Sequence, residues 1–81
     1  MDDTIIWTME FCPECEDVKG ILKSKGIGFN EKCCKEFLNG QENNFKAIRF
    51  FVKNDKTAPI IWYKGCLYNS KTFKDLMKTN E

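Results

Sequence analysis

The sequence predicts an α/β fold, a four-stranded mixed sheet flanked by three helices in the order β-α-β-α-β-β-α. Three observations carry this. A short apolar run, Ile5 to Met9, hands over at a C-x-x-C to a helical pattern. Lys25-Gly26 stops that helix and leads into a second extended run, so a parallel pair with a right-handed crossover is expected. Thr57-Ala58-Pro59 then precedes an apolar strand, a tight Lys64-Gly65 turn and a second hairpin arm.

Ile5, Ile6, Trp7, Thr8 and Met9 are β-branched, aromatic or apolar and too few for a helix, so they read as a buried strand. From Cys15 the period changes. Cys15, Val18, Ile21 and Leu22 recur on one helical face, while Glu16, Asp17, Lys19 and Lys23 take the other. Pro13 fits the first turn, where a missing N–H costs nothing. The spacing predicts a helix over 13–25, closed by Lys25 at the negative end of the dipole and Gly26 at the left-handed C′ position. Residues 27–33 form the second strand. After the Asn39-Gly40 turn, Phe45, Ile48 and Val52 mark a helix over 41–53, with Phe50 and Phe51 as further core aromatics. Ile60-Ile61-Trp62-Tyr63 reads as a central strand and Cys66-Leu67-Tyr68 as its hairpin partner. Asn69 or Ser70 caps a last helix that buries Phe73, Leu76 and Met77.

Cys12 falls at the N-cap of the first helix, facing unpaired N–H groups and the positive dipole end, both of which favour a thiolate. Cys15 follows three residues later on the same side, near enough to close a small disulfide. That pair suits thiol–disulfide exchange. Two other readings remain open. With Cys33, Cys34 and Cys66 the chain has five cysteines, enough for a zinc site, although Cys33 and Cys34 are adjacent and there is no histidine. The cysteines are alternatively small buried apolar groups, which is the expectation for Cys33, Cys34 and Cys66.

Eighty-one residues are expected to form one domain, residues 1–81, burying roughly 60–65% of the unfolded chain's surface. Thirteen basic against 12 acidic residues leave a net charge of +1, so no overall field favours nucleic acid or an anionic membrane. No apolar run approaches a membrane span, and Met1-Asp2-Asp3-Thr4 lacks the basic start of a signal peptide. The expected location is the cytoplasm, and the expected state a monomer with thiols mostly reduced.

Cys12-Pro13-Glu14-Cys15 after a first strand, Thr57-Ala58-Pro59 before the third, and Ser24-Lys25-Gly26-Ile27 at the first helix end together resemble a glutaredoxin of the thioredoxin-fold superfamily, across nearly the whole chain. The resemblance implies that Cys12 is the nucleophile and Cys15 the resolving thiol, with no metal and no tightly bound cofactor. Glutathione is the implied co-substrate, and protein disulfides such as that of ribonucleotide reductase the implied partners. It further implies a cis Ala58–Pro59 bond beside the thiols. Substrate contacts are expected from Phe11, Pro13, Glu14, Thr57, Ala58, Pro59, Ser70, Lys71 and Thr72. Two positions depart from the family pattern: Asn69-Ser70-Lys71-Thr72 lacks the Asp usual before the last helix, and Glu14 stands where Tyr is frequent. The related alternatives are a redoxin reduced by a thioredoxin reductase and a module holding zinc or an iron–sulfur cluster on the same cysteines.

Overall fold

The computed structural model describes residues 4–79, so the Met1-Asp2-Asp3 segment used above in the leader argument lies outside the described residues. The elements are β1 (Thr4–Thr8), α1 (Pro13–Ser24), β2 (Phe29–Cys33), α2 (Lys35–Leu38), α3 (Phe45–Lys53), β3 (Ile60–Tyr63), β4 (Cys66–Tyr68) and α4 (Ser70–Thr79). The strands form one mixed sheet in the order β2-β1-β3-β4. β1 runs parallel to β2 from Thr4↔Phe29 to Thr8↔Cys33 and antiparallel to β3 through Ile6↔Ile61. β3 and β4 form the expected hairpin, with Lys64 and Gly65 both left-handed at φ 50° and 78°.

Alternation along the central strands separates two cores. Ile6 and Ile61 face Val18 and Leu22 of α1 and Phe73 and Met77 of α4. Trp7 and Ile60 face the other way, toward Cys34, Ala47 and Phe51. The helix α1 ends as its sequence predicts. Gly26 N–H bonds the Lys23 carbonyl and Ile27 N–H the Leu22 carbonyl, with Gly26 at φ 69°. That second bond takes the Ile27 N–H out of the sheet, and β2 begins at Phe29 rather than at residue 27.

Three expectations need correction between residues 33 and 53. A fourth, one-turn helix, α2, follows β2 directly. It is too short to show a period; its Phe37 ring lies 5.4 Å from Trp7 and stacks 4.6 Å from Phe51. The next helix starts at Phe45, not at residue 41, because Glu42 is drawn inward and Asn44 caps the helix through the Ala47 N–H. Its inward face is also different. Phe45 and Val52 point outward; Phe51 is buried as expected, and Ala47 is buried with it, because the Phe37–Phe51 stack fixes the rotation of α3. The small-residue expectation for the remaining cysteines holds only for Cys34, which is buried; Cys33 is half-buried and Cys66 exposed.

Glu42 is the notable buried charge, with its side chain 4% exposed. Oε1 accepts from the Trp7 indole N–H at 2.8 Å, and Oε2 accepts the Asn43 and Asn44 amides. Lys32 Nζ lies 3.5 Å away. Burial works to raise this carboxyl's pKa, but the Asn44 amide, the Trp7 indole and Lys32 outweigh it and hold the pKa below its ordinary value of 4.5. A lowered folded pKa means stability that is complete above the unfolded value and lost as pH falls through the folded one. Glu42→Ala also strands the buried Trp7 N–H and is expected to cost about 2–3 kcal/mol at neutral pH. Glu42→Gln keeps that acceptor and is expected to cost less, and its deficit should shrink as the wild-type carboxylate protonates. Urea titrations of the three proteins at neutral and acid pH check this; a pH-independent gap for Glu42→Gln would remove the charge from the account.

Candidate active site

β1 and α1 are joined by Met9, Glu10, Phe11 and Cys12, so the C-x-x-C is carried from the end of an interior strand to the start of a helix. Cys12 is the N-cap, with extended φ and ψ of −115° and 96°, and Pro13 is the first helical residue. Cys12 and Cys15 form a disulfide with Cα atoms 5.3 Å apart. The Cys15 amide donates to Cys12 Sγ at 3.2 Å, and the Cys15 and Glu16 amides also reach the Cys12 carbonyl. The two sulfurs are not equivalent. Cys12 is half-exposed, whereas Cys15 is 1% exposed beneath the helix.

The loop before β3 closes one side. Ala58–Pro59 is cis, Pro59 is fully buried, and the Ala58 carbonyl oxygen lies 3.9 Å from Cys12 Sγ. Thr57 is exposed, but its hydroxyl is held inside the loop, donating to the Asn54 carbonyl at 2.7 Å. The start of α4 closes another side. The Ser70 hydroxyl donates to Glu14 Oε2 at 2.8 Å, joining the first turns of α1 and α4 across the sequence. Asp17 and Lys74, 3.5 Å apart, join the same two helices further along. Asn69 caps α4 by accepting the Thr72 amide at 2.9 Å, and Thr72 Oγ1 accepts the Asn69 amide in return.

Thus Phe11 and Pro13 share a groove with Cys12, the Ala58 carbonyl approaches the Cys12 sulfur with the buried Pro59 next in the chain, and Ser70 is tied to the first turn of α1 through Glu14. Thr57 and Thr72 spend their hydroxyls on a loop and a cap, and Lys71 is exposed on the first turn of α4. Met9 joins the site although its apolar character reads as strand: it lines an open groove of about 520 Å³ with Glu10, Phe11, Cys12, Pro13 and Glu16. Its position just beyond β1 was the available signal. Of the remaining thiols, burial, reinforced by the neighbouring Cys33, pushes Cys34 up to about 12. Cys66 sits at the opposite end of β3, paired with Tyr63. Among the described residues no three Cys, His, Asp or Glu side chains are grouped to hold a metal ion.

No family model matches the chain, and no curated protein matches it in sequence. Among solved structures it is similar to the crystal structure of a glutaredoxin from Archaeoglobus fulgidus, with a TM-score of 0.54 and 16% identity over 95% of this chain and 87% of that one. The fold is therefore thioredoxin-like, like that of the glutaredoxin structure, with a four-stranded mixed sheet and four helices.

The geometry predicts an order of alkylation in the reduced protein at neutral pH. Cys12 and Cys66 should react first, Cys33 later, and Cys15 and Cys34 last, with Cys34 modified only on unfolding. Timed quenching and peptide mass spectrometry check it; labelling of Cys15 before Cys12 would reverse the roles assigned to the pair.

Proposed function

We propose that the chain is a dithiol–disulfide oxidoreductase in which Cys12 attacks and Cys15 resolves. The observation that carries this reading is the asymmetry of the pair: a half-exposed N-cap sulfur that accepts a helix amide, bonded to a buried one. In the reduced protein the same amide and the dipole of α1 favour the Cys12 thiolate. That thiolate attacks one sulfur of a substrate disulfide. The substrate S–S bond breaks, and the departing sulfur leaves with the electron pair and takes a proton. Cys15, once deprotonated, attacks Cys12 Sγ, releasing the second substrate thiol and forming the internal disulfide. Two electrons and two protons pass to the substrate, and the protein is left oxidised.

Restoring the dithiol needs an external reductant. Two molecules of glutathione, themselves becoming glutathione disulfide, fit the fold's resemblance and are the first reading, with cytoplasmic protein disulfides, that of ribonucleotide reductase among them, as customers. Reduction by a flavin-dependent thioredoxin reductase is the second reading. A specific observation favours it: the start of α4, where Asn69-Ser70-Lys71-Thr72 contains no Asp, already holds the Glu14 carboxylate through Ser70.

Cys12→Ser should reduce disulfide reduction to background. Cys15→Ser should stall on protein disulfides as a mixed disulfide at Cys12, visible by mass, while still turning over glutathione-linked substrates. Activity of Cys12→Ser equal to wild type would end the proposal. Parallel assays of the oxidised protein with glutathione and with NADPH plus a thioredoxin reductase identify the electron source.

A further inference from the structure

The surface around Cys12 has a composition that the exchange chemistry itself does not require. Phe11, immediately before the nucleophile, is 99% exposed and sits at φ 55°, a left-handed backbone that bulky residues avoid. The fold thus holds a whole aromatic ring in water at the rim of the redox groove, with Met9 and Pro13 continuing the apolar shelf. A ring so placed contributes nothing to the core. Its neighbours are acidic. Glu16 is matched by Lys19 at 2.6 Å and Asp17 by Lys74 at 3.5 Å. Glu10 and Glu14 have no ion pair among the described residues, and Glu14 is held by a neutral hydroxyl, that of Ser70. Two carboxylates without an ion pair therefore stand near the attacking sulfur, Glu10 in the groove that holds Phe11 and Glu14 in the first turn of α1, toward Ser70.

Resting on the oxidoreductase reading above, we infer that the preferred substrate is a polypeptide disulfide with an apolar side chain next to its cysteine and basic residues beside that, docked on Phe11 and steered by Glu10 and Glu14. The apolar side chain covers Phe11, Met9 and Pro13, replacing exposed hydrocarbon with contact. The basic residues meet the unpaired carboxylates, a complementarity that raises encounter rates more than affinity and weakens with salt. An anionic small disulfide meets the opposite conditions: like charge at the rim, and at Ser70 a hydroxyl already given to Glu14.

The test uses the Cys15→Ser protein and cysteine peptides activated as neutral thiopyridyl disulfides. Cys12 Sγ bonds the peptide sulfur, and thiopyridine leaves with the electron pair of the broken bond, so its absorbance reports the attack. The peptides carry Leu or Gly beside the cysteine and two Lys, two Ser or two Glu beyond. At low ionic strength the Leu–Lys peptide should react about 10-fold or more faster than the Leu–Glu peptide, the gap closing to about 2–3-fold at high salt. Glu10→Gln with Glu14→Gln should abolish the charge ranking without opening the α1–α4 contact, because the introduced amide oxygen still accepts from Ser70. Phe11→Ser should abolish the Leu-over-Gly ranking. Equal rates for all peptides, or a preference for the Glu peptide, would overturn the inference and leave the exchange chemistry standing. No reaction with any peptide would instead sink the oxidoreductase reading.

Discussion

Strand β1 can show neither face to water, and much of the molecule follows from that constraint. Ile6 and Trp7 are adjacent, fully buried, and directed into different cores. One face requires α1 and α4, the other α2 and α3, and β2 and β3 must lie on either side to take up the strand's hydrogen bonds. The disulfide-bonded Cys12 and Cys15 follow a short connection from the end of this most constrained strand. Their sulfurs are thus positioned by the centre of the sheet, although Cys12 itself lies in a connecting segment that water reaches.

Trp7 also imposes a local demand. Its ring fills a core, but its N–H needs an acceptor, and Glu42 supplies one from a segment without regular structure. The same carboxylate then takes two backbone amides, so the connection between α2 and α3 is organised around a side chain. This explains why α3 begins late and why its N-cap is Asn44. A single buried polar contact sets the boundary of an element whose hydrophobic pattern would allow a longer one.

What was legible in the sequence was what local chemistry decides. Lys25-Gly26, Cys12-Pro13, Lys64-Gly65 and Asn69 each specify a cap or turn by their own geometry, and the parallel β1–β2 pair and the β3–β4 hairpin followed from the elements they delimit, whereas the antiparallel β1–β3 pairing that joins them did not. What was not legible depended on distant partners. Residues 45–52 contain two overlapping apolar stripes, 45/48/52 and 47/51, and only the Phe37 ring, from a turn too short to have a period, selects between them. At the site, the nearness of Cys12 and Cys15 was readable from spacing, whereas the Glu14–Ser70 contact spans 56 positions and needs the packing of α1 on α4 to exist.

The ends of the sheet bear on how the chain behaves in a crowded solution. One edge, β4, is three residues long. The other, β2, reads Phe29-Asn30-Glu31-Lys32-Cys33, with polar and charged residues through its middle and Glu31 tied to Thr8 and Lys19. Neither offers a long, flat, apolar template on which a second strand could be laid down. A small domain has little surplus stability to keep it from opening; here the most apolar strands, β1 and β3, are kept interior, and cross-β growth finds only a short stub or a charged rim.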